Sequence, residues 1–321
     1  MTHGQTLNSL TADVVTKVDQ AYSHFEPDVV LVLVQGDTTT VMASAIAAFN
    51  RDIPVMHLEA GLRSGDLRSP FPEEANRKVV SQLSSARFAP TESAKSNLLA
   101  EGVDPRQIFI TGNTVNDAYR WAVERGARMP HDRLKDISDD TRVVLLTAHR
   151  RENIGAPMRR IGRALRHLAD MYEDVFFVWA THKNPKVQEY MLPELQGIRN
   201  VVCLEPVDYD EFANLMARST VILTDSGGIQ EEAPSTGTPV LVLRENTERP
   251  EAIWAGTAKL IGTDTDRIVH EVALLLESES EYAKMATSTN PYGDGCAAER
   301  VLQAIRALLV GAAYPDDFSP V

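Results

Sequence analysis

The sequence predicts an α/β protein of two Rossmann-like domains, each built on a parallel sheet. Three observations carry this. Apolar runs of strand length alternate with helical patterns along nearly the whole chain, the alternation pauses once at a polar stretch and then restarts, and polar side chains gather just after the apolar runs. At 321 residues and 43% hydrophobic content, the chain carries enough apolar matter for two ordinary cores.

A helical pattern, TLNSLTADVVTKVDQAYSHF, comes first. The first clear strand starts at about Asp28 with VVLVLVQGD and leads into a helix from about Thr38. IPVMHLEAG then precedes the helix PEEANRKVVSQL, ARFAPT precedes ESAKSNLLAEG, and QIFITGN precedes TVNDAYRWAVE. A doubly wound domain that opens in this way begins at an inner element, so the first domain reads either as N-terminally truncated or as unusually small. The polar stretch Arg125–Asp140, containing MPHDRLKDISDD, separates the two series. After it come RVVLLTAHR, VFFVWATH, VVCLEP, TVILTDSG, PVLVLRE and AKLIGT, each followed by helical or loop sequence. The acidic run ESESEY near Glu277 reads as a solvated surface turn, and CAAERVLQAIRALLVG, after NPYGDG, as an amphipathic helix. Parallel sheets of this kind place ligands beyond the C-terminal ends of their strands, here in a cleft expected between the two domains.

Composition excludes several functions. No apolar run approaches the length that spans a bilayer, and the opening MTHGQTLNSL lacks a basic start followed by an apolar stretch, so a soluble, cytoplasmic protein without a membrane partner is expected. The formal charge of −13 argues against a nucleic-acid partner, which needs clustered Lys and Arg. Cys203 and Cys296 are too few for a disulfide framework and lack partners at metal-ligand spacing; they read as buried or incidental thiols, and no metal site is expected.

In VILTDSGGIQEEAP a strand, Thr220–Thr224, runs through Asp225-Ser226-Gly227-Gly228 into a helix start. Glycines permit close backbone approach, Ser226 can cap the helix or bind phosphate, and the free N–H groups of a first turn present partial positive charge to an anion. Glu232 lies six residues past Ser226, about 9 Å along a helix at ~1.5 Å per residue, roughly the distance from a diphosphate to a ribose diol. The plainer alternative is a helix whose dipole favours early acids; it would explain Glu231 and Glu232 but not the paired glycines. LLTAHRREN sets His149, Arg150 and Arg151 at the end of the second series' first strand, supplying local cations for an anionic ligand.

The first series ends its elements in carboxylates: Asp37 in VQGDTTT, Glu59 in HLEAGLRSGD, Glu73 and Glu74 in SPFPEEANR. Strand-end acids in a parallel sheet point toward the ligand cleft, although any one alone is as readily an N-cap or a loop charge. Acids on one wall and phosphate-binding groups on the other suit a nucleotide sugar, with the acids at the sugar ring and the cations at the departing diphosphate.

These motifs, with FAPTE, GNTVNDA, DSGGIQEEAPSTGTPVLVLRENTERPEA and NPYGDG, together resemble the bacterial non-hydrolysing UDP-N-acetylglucosamine 2-epimerases over nearly the whole chain. The resemblance implies a glycosyltransferase-B-like fold with residues 1–115 as one domain, 116–296 as a UDP-binding domain, and a helix in 297–321 packing back on the first. It implies cofactor-free, reversible conversion of UDP-N-acetylglucosamine to UDP-N-acetylmannosamine, by elimination of UDP to 2-acetamidoglucal and re-addition, and a homodimer serving cell-surface polysaccharide synthesis. By that resemblance Asp37, Glu59 and Glu73 are the catalytic carboxylates and His149 the histidine near the diphosphate. Ser226, Gly227, Gly228 and Glu232 form the UDP site with Glu232 on the ribose, and Arg77 lies near the active site. Gln5, Arg150 and His182 fall where relatives contact a second, activating substrate molecule, although Gly4 stands where some have arginine. Relatives also begin with a strand and a Gly-Thr-Arg-Pro-Glu loop that precedes the start of this chain; without those cations, weak UDP binding and slow or absent turnover are expected. The alternatives left open are a UDP-sugar-dependent glycosyltransferase, a hydrolysing epimerase, and a truncated UDP-sugar-binding protein.

Overall fold

The computed structural model describes residues 5–25, 27–127, 134, 138 and 140–320. It divides into two compact units: Met1–Thr114 with Cys296–Ser319, and Val115–Gly295 with Pro320–Val321.

The first unit is a four-stranded parallel sheet in the order β1-β2-β3-β4: β1 Val32–Gln35, β2 Val55–Leu58, β3 Ala86–Ala89 and β4 Ile108–Ile110. Its helices are α1 Leu7–Phe25, α2 Thr39–Phe49, α3 Glu73–Leu83 and α4 Glu92–Ala100. Thr38 caps α2 by accepting the N–H of Val41, and Thr91 caps α4 by accepting that of Ala94, which satisfies donors the helices leave open. β1 begins later than the Asp28 expected from hydropathy, because Val29–Leu31 make no ladder with β2; the register opens at Val32 opposite Val55. The core is small-residue-rich: Ala45 and Ala48 of α2 cluster with Val34 of β1 and Val55 of β2, and Phe88 of β3 clusters with Phe109 of β4. The C-terminal segment belongs to this unit. Val301 and Ala304 of its helix pack on Met56 and Phe88, the N–H of Phe318 donates to the Ile110 carbonyl at 2.7 Å, and Asp317 accepts the N–H of Ile110 at 2.9 Å.

The second unit opens within α5, Thr114–Arg125, and carries six parallel strands in the order β10-β9-β8-β5-β6-β7. They are β5 Val143–Thr147, β6 Phe176–Ala180, β7 Val201–Leu204, β8 Val221–Thr224, β9 Val240–Val242 and β10 Ala258–Leu260. The helices here are α6 Ala156–Met171, α7 Pro185–Leu195, α8 Tyr209–Arg218, α9 Gly227–Glu232, α10 Pro250–Ala255, α11 Thr265–Glu277 and α12 Glu279–Ala286; α13, Ala297–Val310, is the helix that returns to the first unit. β5 is buried along its whole length, which follows from helices covering both faces of a parallel sheet. Leu146 within it, Phe177 and Trp179 of β6 and Leu165 of α6 are fully buried, each worth about 1.5–3 kcal/mol of apolar burial. The chain runs outward from β5 through β6 to β7, then returns to lay β8 on the other side of β5. The gap between β5 and β8 is therefore the topological switch point, where an open α/β sheet forms its ligand crevice.

One sequence expectation changes and another is narrowed. ESESEY is a junction of helices rather than a turn: α11 ends at Glu277 and the Ser278 hydroxyl caps α12 by accepting the N–H of Glu281. Both cysteines are exposed, so the incidental rather than the buried alternative applies to them. The polar stretch Arg125–Asp140 begins within α5 and otherwise lies largely outside the described residues. No helix among the described residues is long and apolar enough to cross a membrane.

Candidate functional site

The two strands at the switch point bring His149 and Ser226 together. β5 leads to Ala148 and His149, β8 to Asp225 and Ser226, and the hydroxyls of Thr147 and Thr224 meet across the strands at 2.8 Å. Asp225, fully buried, ties the two loops: its carboxylate accepts the N–H groups of His149 and Arg150 at 2.9 Å and the Asn153 amide at 2.9 Å. Such charge-assisted bonds hold a loop more firmly than neutral ones. The His149 ring stacks on His182 with centroids 5.3 Å apart, and its Nδ1 lies 3.4 Å from Asp225. Burial pushes its pKa below the usual histidine value; Asp225 pulls the other way, while His182 and Arg150 add to the lowering. His149 is thus a neutral imidazole at pH 7. Arg150 is turned toward protein partners, donating to the Asp225 carbonyl at 3.2 Å and lying 3.4 Å from Glu248.

Ser226 occupies the N-cap position of α9, yet its side chain makes no capping bond. Gly227 follows because a Cβ there would stand 3.0 Å from the Arg249 guanidinium. That guanidinium is held by Glu231 at 2.8 Å and Glu248 at 3.0 Å, and these two carboxylates raise its already high pKa against the effect of burial. Glu231 and Glu232 lie in the last turn of a six-residue helix, so the dipole opposes their charge and cannot account for them. What holds them is tertiary: Arg249 for Glu231, and for Glu232 the Tyr209 hydroxyl, which donates at 2.7 Å. Glu232 is 7% exposed, and burial pushes its pKa up to about 7; Tyr209 lowers it and Glu231 raises it further.

A pocket of about 350 Å³ opens here, its lining including His149, His182, Tyr209, Phe212, Ser226 and Glu232. A larger hollow of about 870 Å³ includes Phe176 and Asn200 in its lining. It sits at the opposite, N-terminal end of the strands, where such sheets do not bind ligands. Among the described residues no group of His, Cys, Asp and Glu has the makings of a metal site.

In the first unit Asp37, Glu59 and Glu74, three of the expected acids, gather around the β1 and β2 ends. The Asp37 carboxylate meets Arg77 at 3.1 Å, and Arg77 also reaches Glu74 at 3.3 Å. Glu74 is fully buried and accepts the N–H groups of Ser64 and Gly65 at 3.0 and 3.2 Å. Glu59 has φ of 59°, one of two non-glycine residues with positive φ among those described, and accepts the Gln35 amide at 3.1 Å. Such a conformation, in a residue with a Cβ, is strained and concentrates at functional sites. Glu73 begins α3, where the helix dipole favours a negative charge, and its side chain makes no hydrogen bond or ion pair among the described residues. Gln5 precedes α1 in this unit, whereas Arg150 and His182 belong to the second; Gly4 lies outside the described residues.

Sequence reasoning missed Asp225, Tyr209 and Arg249 as parts of these clusters, whereas Glu74 was among the acids it expected. Only Asp225 carried a signal, as an acid directly before the Ser-Gly-Gly turn.

Two parallel-sheet α/β units, one with a pocket at its switch point, define the class as a glycosyltransferase-B-like α/β protein. A family model described as UDP-N-acetylglucosamine 2-epimerase matches residues 1–306, and the chain belongs to that family. It is 47% identical over 314 residues to the UDP-N-acetylglucosamine 2-epimerase of Escherichia coli K12, covering 95% of this chain and 82% of that protein. Among solved structures, it is 44% identical to S. aureus MnaA in a co-structure with UDP, at a TM-score of 0.91, covering 98% of this chain and 85% of that one. A UDP-GlcNAc 2-epimerase from Neisseria meningitidis bound to UDP-GlcNAc is 44% identical at a TM-score of 0.86, over 95% of this chain and 83% of that one.

Proposed function

We propose that this chain interconverts UDP-N-acetylglucosamine and UDP-N-acetylmannosamine by inverting C2 of the hexose, without a cofactor. The supporting observation is the segment Ser226–Glu232 along the switch-point pocket, with a hydroxyl that makes no capping bond and a helix start at one end and a buried carboxylate at the other. A diphosphate suits the first and a ribose diol the second, while Phe212 offers an aromatic face to a base.

In this proposal a carboxylate removes the C2 proton as the C1–O bond breaks. The C–H electron pair becomes the C1–C2 double bond, and the C1–O pair leaves with UDP. Because C2–H is a poor acid until C1–O cleavage begins, loss of UDP runs ahead of or with deprotonation. A proton then returns to the opposite face of 2-acetamidoglucal, and a UDP oxygen adds back to C1. Asp37, Glu59 and Glu73 are assigned the proton transfers, with Glu73 free of any protein partner among the described residues and Arg77 orienting Asp37. Neutral His149 with Ser226, Gly227 and Gly228 is assigned to the diphosphate, and Glu232 to the ribose. Gln5, Arg150 and His182 are assigned to a second, activating substrate molecule. A cytoplasmic homodimer serving cell-surface polysaccharide synthesis completes the proposal, supported by the family resemblance; sedimentation of the purified chain tests the dimer.

The test of the activity is incubation with UDP-N-acetylglucosamine in D₂O. Deuterium at C2 and appearance of the manno epimer without any acceptor are expected. Transfer that requires an acceptor, free N-acetylmannosamine as the product, or UDP binding without exchange would each overturn the proposal.

A further inference from the structure

His57 is fully buried on β2, opposite Val34 of β1. Its Nε2 lies 2.8 Å from the Gly36 carbonyl oxygen. A carbonyl can only accept, so Nε2 carries the proton and Nδ1 a bare lone pair. That Nδ1 is buried without a hydrogen-bond partner among the described residues. A buried polar atom left in this state costs free energy, so a plain packing position would be better served by an apolar side chain.

The carbonyl that His57 takes lies in the turn just before Asp37 and beside Glu59, two of the expected acids. Gly36, at φ of 82°, turns the chain out of β1, and its N–H donates to the Leu58 carbonyl at 3.2 Å. Asp37 comes next, and its own carbonyl accepts the Asn76 amide at 2.8 Å. Two successive carbonyls are therefore held by buried side chains from neighbouring elements. On the other side, Glu59 stands two residues beyond His57, and its Oε2 is 3.4 Å from where a Cβ on Gly36 would be. One imidazole thus links the turn that carries Asp37 to the strand that delivers Glu59.

We propose that His57 is a positioning residue that sets Asp37 against Glu59 by donating Nε2–H to the Gly36 carbonyl. This rests on the assignment of those carboxylates to proton transfer. Burial, with the nearby cations Arg63, Arg87 and Arg77, lowers the His57 pKa to about 4, so the imidazole stays neutral at the pH of the experiment.

The experiment compares His57→Leu, which removes the donor, with His57→Gln, whose amide can restore it. In His57→Leu, C2 deuterium exchange and kcat are expected to fall about 10- to 100-fold, the loss typical of a misplaced catalytic group. KM and UDP affinity should stay within about threefold because the nucleotide groups belong to the other unit, and His57→Gln should recover most of kcat. Equal losses in the two variants accompanied by equal losses in melting temperature, or unchanged kcat in His57→Leu, would overturn the proposal. ¹⁵N spectra of the wild-type protein should show the Nε2–H tautomer, and an Nδ1–H tautomer would refute the inference even if the leucine variant failed to fold. The ¹³C carboxyl shifts of Asp37 and Glu59 should move in His57→Leu and not in His57→Gln. If wild type exchanged no deuterium while those shifts behaved as expected, the epimerase assignment would fail and the positioning role would stand.

Discussion

Glu232→Gln should make the protein more stable at neutral pH while weakening its hold on UDP. The buried carboxyl has its pKa raised from 4.5 to about 7; at about 1.4 kcal/mol per pKa unit this is a penalty of about 3 kcal/mol for the ionised native form. Since the folded value lies above the unfolded one, the protonated acid costs nothing extra below about pH 4.5, and the penalty is complete once pH has risen through about 7. Gln keeps an oxygen to accept the Tyr209 hydroxyl and carries no charge, so it escapes that penalty. The gain should be near zero at pH 4.5 and largest above pH 7, where about 3 kcal/mol corresponds to roughly 6–12 °C in the melting temperature of a unit this size. Differential scanning calorimetry of both proteins from pH 4.5 to 8.5 measures it, and titration calorimetry with UDP measures the other half. Replacing a charge-assisted acceptor for the ribose diol by an amide should weaken UDP about 10- to 100-fold. A stability difference that does not change with pH would refute the burial argument, and unchanged UDP affinity would refute the ribose assignment.

Glu73→Gln should abolish C2 deuterium exchange while leaving UDP affinity within about threefold, since it removes a proton carrier and no ligand-holding charge; residual exchange near the wild-type rate would exclude Glu73 from proton transfer. Arg77→Met removes the cation that meets the fully buried Glu74, so it should cost about 3–5 kcal/mol of stability, read as a lowered melting temperature. In Asp225→Asn the amide confronts donors where the carboxylate accepted three N–H groups, those of His149, Arg150 and the Asn153 amide; a loss of about 1–3 kcal/mol and weaker UDP binding are expected, by melting and calorimetry. The His149 ring should titrate below the ordinary histidine value in ¹H–¹⁵N spectra, because burial disfavours its charged form.

The alternation of apolar runs with helical patterns determined the two parallel sheets, because strands covered on both faces must be apolar throughout and helices half-covered must be amphipathic. Strand-end position was equally legible: Asp37, Glu59, His149 and Ser226 each directly follow a strand, or the turn after one, and a parallel sheet sends all such ends the same way. ESESEY was misjudged as a turn, since charge alone does not reveal the Ser278 cap that starts a helix there. What the sequence left open is which side chains complete each cluster. Tyr209 meets Glu232 across 23 positions, Arg249 meets Glu231 across 18, His57 meets the Gly36 carbonyl across 21, and Asp225 ties down the His149 N–H across 76. No local period links residues so far apart; strand order brings them together. The raised pKa of Glu232 and the neutral state of His149 come from burial, and burial belongs to the folded arrangement rather than to any stretch of the chain.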